Sequence, residues 1–134
     1  MEDQFEVILL GIIYDPSKKK ILLGKRENDP YIKKLTWCFP GGSLHLKEDI
    51  SKTLKKKIKE KTGYEVKNLG TIFAKVYPEK GNLLAVYFLT EIFKGKEKVG
   101  DDFVELKWVK PEEVEKHFTT SFHPALKEYI MNLR

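Results

Sequence analysis

A single helix-length segment, Asp49 to Thr62, stands between strand-favouring runs on both sides, and this placement restricts the fold more than any other feature. Ile50, Leu54 and Ile58 recur every fourth residue and make one apolar stripe. Acids stand at the start of the segment and lysines at its end, as the helix dipole prefers, and Gly63 supplies a C-terminal stop. Before it, "FEVILLGIIYD" (Phe5 to Asp15) and "ILLGKR" (Ile21 to Arg26) read as a hairpin turning at Asp15, Pro16 and Ser17. "ENDPYIKK" (Glu27 to Lys34) reads as a loop, and "TWCFPGGSL" as a short strand entering a Pro-Gly-Gly turn. After it, "YEVKNLGTIFAKVY" and "LLAVYFLTEIF" predict a long hairpin with Gly81-Asn82 in its turn, and "VELKWV" a further strand. A short helix is predicted from Pro111, and a terminal one over "HPALKEYIMNLR". Strands, one central helix, more strands and then helices predict a mixed sheet covered by helices on its faces, not a parallel β-α-β repeat.

The 134 residues suffice for one domain with one proper core, and no repeat or composition shift divides residues 1–134. Cys38 is the sole cysteine, which excludes an internal disulfide and a cysteine-based zinc cage. The longest apolar run, Val7 to Tyr14, is too short to span a bilayer, so no membrane partner is expected. "MEDQFEV" lacks the basic-then-apolar order of a signal peptide, and a cytoplasmic monomer or homo-oligomer, such as a homodimer, is expected.

The net charge of +5 is concentrated in one place. Between Gly42 and Gly63 there are seven lysines against three acids, so the remainder is nearly neutral. One reading is a solvated helix face in a Lys/Glu-rich chain. The other is a local attraction for phosphate groups. Composition favours the first.

"WCFPGGSL" and the segment behind it resemble the Nudix hydrolase (MutT-like) family, whose signature is G-x5-E-x7-R-E-U-x-E-E-x-G-U with U bulky and apolar. Laid on from Gly42, the signature places Glu48 at the first glutamate and Lys56 at the arginine. Lys57 falls at the next glutamate, Ile58 at the apolar position, Glu60 and Lys61 at the paired glutamates, and Gly63 and Tyr64 at the close. "LLGKR" and "VELKWV" also resemble the family, so the likeness spans nearly the whole chain. It implies an α/β (α+β) fold: an α/β/α sandwich with a mixed β-sheet, the Nudix helix on one face, and C-terminal helices.

The resemblance also implies cleavage of a nucleoside diphosphate linked to another group, usually with Mg²⁺ held by helix carboxylates. Positions 57, 60 and 61 share one helix face, and three carboxylates there would hold a hard cation. Here two of the three are lysine. An ammonium has no lone pair for a metal, and it repels the ion by about 1 kcal/mol at about 4 Å in water, more in a lower dielectric. The expectation is therefore a nucleotide or nucleoside-diphosphate binder with weak or no Mg²⁺-dependent pyrophosphohydrolase activity. Lys57, Lys61 and Lys56 would serve as phosphate ligands beside Arg26, Gly41 and Gly42.

Two alternatives stand beside it. In the first, an altered hydrolase uses Glu60 and Glu48 as catalytic groups and as Mg²⁺ ligands with a downstream acid, Glu105. In the second, the basic helix binds RNA without catalysis. Each residue also has a plainer role. Glu60 is placed to pair with Lys56 and Lys57, Glu48 suits a helix start, and Asp101, Asp102 and Glu105 suit a charged loop end. Lys25 and Arg26 read either as phosphate ligands or as an ordinary strand end. Tyr31, Trp37 and Phe39 read as base-stacking or core aromatics, and His45, His117 and His123 as surface or capping residues, with His123 a base if the C-terminal loop covers the site.

Overall fold

The computed structural model describes residues 4–27, 29, 32 and 36–133. Its centre is β1 (Glu6–Asp15), which pairs in parallel with β6 (Lys80–Gly95) and antiparallel with β4 (Gly41–Leu44). β5 (Tyr64–Tyr77) closes this sheet as the antiparallel partner of β6. The far end of β1 turns into β2 (Lys20–Arg26), which carries β7 (Phe103–Val109) and the two-residue β3 (Trp37–Cys38). The mixed sheet foreseen from element order is therefore present. The helices are α1 (Ile50–Thr62), α2 (Val114–His117), entered through a short 3₁₀ turn at Pro111–Glu113, and α3 (Pro124–Met131).

Alternation along β1 divides the core between two faces. Leu10 and Ile12 join a cluster with Val114, Leu126 and Ile130 of the C-terminal helices. Leu9 and Ile13 point the other way and pack with Leu54 and Ile58 of α1, together with Val66 and Phe88. Gly11, the one interruption in the apolar run, faces α1: a Cβ there would lie 2.6 Å from Ile58 Cδ1. The missing side chain is the notch that receives the helix.

The apolar stripe of α1 differs from its sequence reading. Leu54 and Ile58 are fully buried, but Ile50 is 48% exposed. It is the first helical residue, just after the Asp49 cap whose side chain accepts from Lys52 N. The buried face continues instead through Thr53, Lys61 and Thr62. Gly63 ends the helix in the left-handed conformation.

The turn of the long hairpin also lies elsewhere than expected. Tyr77 pairs with Lys80, so Pro78 and Glu79 make the turn, and Gly81-Asn82 already belong to β6. Proline presets the backbone angle that the first turn position requires. The tip is tied down by Glu79, whose carboxylate accepts from Ser121 N at 2.6 Å and from Ser121 Oγ at 2.8 Å.

Two glycine substitutions check this packing. Gly41→Ala would place a Cβ 1.9 Å from the Leu9 carbonyl oxygen, backbone that cannot yield without breaking the β1–β4 pairing. Denaturant unfolding is expected to show a loss of at least about 2 kcal/mol. Gly81→Ala meets nothing within 4 Å and should stay within about 0.5 kcal/mol of the parent.

Candidate functional site

The C-terminal half of α1 forms one wall of a cavity of about 200 Å³. Lys57, Glu60 and Lys61 line it, because the contacts of Leu54 and Ile58 with the sheet fix the rotation of the helix. Opposite stand Arg26, Asp29 and Cys38, and the strand edge Gly41–Ser43 completes the side. The segment after β6 brings Asp101 and Asp102 to the mouth. It reaches there by backbone bonds to the helix end: Lys98 N donates to Thr62 O at 2.8 Å and Gly100 N to Lys61 O at 3.1 Å. These amides satisfy carbonyls that a helix end leaves without partners.

Lys61 is the unusual member. Only 8% of it is exposed, and its Nζ lies 5.7 Å from the centre of the Phe103 ring. Among the described residues it forms no ion pair. Burial pushes its pKa below the ordinary 10.5, and the neighbouring Arg26 adds to the shift while Asp102 opposes it. Lys57 packs its stem on Gly42, where a Cβ would lie 2.9 Å from Lys57 Cδ, so the glycine lets this side chain run along the strand.

Arg26 is held between two acids. Its Nε lies 3.4 Å from Asp29 Oδ2 and its Nη2 3.7 Å from Asp102 Oδ2. The first approach is an ion pair without hydrogen-bonding alignment, so a buried N–H keeps its donor capacity. Asp29 is itself buried and accepts from Ile32 N at 2.8 Å. The Cys38 thiol is pushed up to about 12 by burial and stays protonated.

The candidate residues divide between the cavity and the surface. Lys57, Glu60, Lys61, Arg26, Gly41 and Gly42 meet at the cavity. Lys56 is exposed and does not line it. Glu48 is exposed too, and its carboxylate is engaged at 2.7 Å by His45 N in the loop before the helix. Glu105 is exposed on β7 beside Lys25 of β2 and does not reach the cavity. The pairing of Glu60 with Lys56 or Lys57 is not made among the described residues.

Of the other candidates, Lys25 lies over the Trp37 ring at 5.9 Å, and Trp37 packs edge-on to His117, both outside the cavity. Phe39 lines the cavity, whereas His123 caps α3 by accepting from Ala125 N. Tyr31 lies outside the described residues. Sequence reasoning missed Asp29, Cys38 and Phe103. Only Phe103 carried a signal, as the residue immediately preceding the predicted strand Val104 to Val109.

A Mg²⁺ site of the kind the helix motif implies does not fit these side chains. Two of the three positions facing the cavity from α1 are ammonium groups, and one of them is buried beside a guanidinium. Among the described residues no three of His, Cys, Asp and Glu are grouped as metal ligands.

Comparison with known proteins identifies the family of the fold. A family profile described as "NUDIX domain" matches residues 5–132, and the chain belongs to the Nudix family. It is 32% identical over 92 residues to an ADP-ribose pyrophosphatase of Methanocaldococcus jannaschii, a match covering 66% of this chain and 53% of that protein. The chain thus spans about half the length of the curated relative it matches. Among solved structures, a Nudix hydrolase from Nitrosomonas europaea superposes with a TM-score of 0.78 at 19% identity, covering 98% of this chain and 73% of that one. A MutT protein from Methanosarcina mazei gives 0.71 at 18% identity, covering 99% and 95%. Among the described residues no helix is long and apolar enough to cross a membrane.

The buried lysine gives the site a pH signature. Its lowered folded pKa means that the unfolded chain binds the proton more tightly, so stability rises as pH climbs from the folded value towards 10.5. Lys61→Met should raise the melting temperature at neutral pH and remove this alkaline rise. Thermal unfolding of both proteins across pH 7 to about 10.5 checks it.

Proposed function

We propose that this protein recognises a nucleotide or nucleoside-diphosphate-linked compound with Lys57 and Lys61 as its phosphate ligands, and has weak or no Mg²⁺-dependent hydrolase activity. The observation that carries the reading is Lys61, a cation kept on the buried face of α1 at a cavity it shares with Lys57. A buried ammonium without an ion-pair partner is costly, and an anionic ligand would remove that cost. The helix C-terminus supports positive charge at this point as well. Phosphate oxygens would accept from the ammonium groups directly, in place of a bridging metal.

Calorimetry with ADP-ribose, ADP and a nucleotide sugar tests the proposal. Binding should persist in EDTA, weaken as salt rises, and drop by tenfold or more in Lys61→Gln; absence of binding by all three ligands would sink it.

Glu60 favours a second reading, an altered hydrolase, because it lines the same cavity as Asp101 and Asp102. Turnover of diphosphate compounds with Mg²⁺ or Mn²⁺ that is lost in Glu60→Gln would establish it. The two readings also differ in a gain of function. Under the first, Lys57→Glu combined with Lys61→Glu should create Mn²⁺ binding, seen by electron paramagnetic resonance, that the parent lacks.

A further inference from the structure

The two acids at Arg26 differ in standing. Asp29 is buried with it, its side chain only 4% exposed, whereas the Asp102 side chain is 63% exposed. The Asp102 contact, Nη2 to Oδ2 at 3.7 Å, exceeds hydrogen-bond range, so it is electrostatic and readily exchanged. The same carboxylate acts on Lys61, where it opposes the downward shift of the ammonium pKa. It therefore faces two cations of the site at once. Bringing Asp102 there strains the backbone. Phe103 N donates to Gly100 O at 3.3 Å across a tight turn whose central residues, Asp101 and Asp102, both have positive φ, 24° and 44°. Such a turn favours asparagine followed by glycine, and a pair of aspartates in it carries a conformational cost. The ends of the turn are fixed, because Gly100 N is bonded to Lys61 O and Phe103 is buried with its ring over Gly24. The strain is confined to the two residues between.

We propose that Asp102 is an intramolecular competitor for the anionic ligand: its carboxylate occupies Arg26 in the free protein, and a phosphate group takes its place as Asp102 turns out to solvent. The inference rests on the phosphate reading given above and adds the contact that limits its affinity. A phosphate oxygen at hydrogen-bond distance from the guanidinium makes a stronger bond than the longer Asp102 contact. With Asp102 left in position, the two negative charges would repel each other beside one guanidinium. Asp29 does not exchange, because it is buried and accepts from Ile32 N. Moving Asp102 away costs little, since its carboxylate is already mostly in water and the turn sheds its strain as it opens. What is lost is one partly exposed ion pair.

Titration calorimetry with pyrophosphate and ADP at low salt tests the inference on the parent, Asp102→Asn and Asp101→Asn. Asp102→Asn should bind both ligands about fivefold more tightly than the parent. Asp101→Asn removes the same charge from the same turn, makes no ion pair with Arg26 among the described residues, and should change affinity by less than about twofold. In an Arg26→Gln background the gain from Asp102→Asn should vanish; should that background not fold, the comparison of the two aspartates still decides. Equal gains in the two single variants would mean a general field at the mouth, and no gain in Asp102→Asn would mean no competition. Either result overturns the inference while binding by the parent keeps the phosphate reading. If none of the proteins binds either ligand, the phosphate reading fails and this inference with it.

Discussion

The seating of Ile58 in the space left by Gly11 sets the rotation of α1, and the composition of the cavity follows from it. With Leu54 and Ile58 directed at the sheet, Lys57 and Lys61 turn to the cavity, and Glu60 lines it while remaining exposed. Leu54 and Ile58 each contribute on the order of 1.5–3 kcal/mol by burial, enough to hold the orientation against a charged group it drags inward. Lys61 is thus buried because its neighbours along the helix are well packed. Its own chemistry would keep it in water.

This ordering of forces separates fold from chemistry in this chain. The scaffold is held by apolar contacts and by backbone pairing of β1 with β4 and β6, neither of which involves the residues at 57, 60 and 61. Exchanging carboxylate for ammonium at two of those positions reverses the charge presented to a ligand and leaves the frame in place. A Nudix fold is accordingly compatible with a site unsuited to a divalent cation.

Much of the architecture could be read from the chain, because the period of the apolar residues changes from two to about four at Asp49 and back again at Tyr64. The Pro78-Glu79 turn was misplaced because Gly81-Asn82 carries a stronger turn composition, while the strand register favoured the earlier pair. Ile50 suited the stripe by spacing and was excluded by its place at the helix end. For the site, the helix residues that face the cavity were legible from the motif, and the burial of Lys61 was recoverable from its spacing of three beyond Ile58. Asp29 and Cys38 were not recoverable. Cys38 comes near Arg26 and Lys61 through the pairing of β2 with β3, and the approach of Asp29 to Arg26 three residues earlier carries no sequence pattern of its own.

Two main-chain bonds attach residues 96–102 to the end of α1, and Glu97 adds side-chain bonds from Tyr64 and Trp108. Main-chain bonds are indifferent to most side chains, so Lys96, Lys98 and Val99 are free to change while Asp101 and Asp102 are still delivered to the same mouth. The geometry of the segment therefore belongs largely to the main chain, and its exposed side chains, Glu97 apart, lie beside the cavity without holding the segment in place.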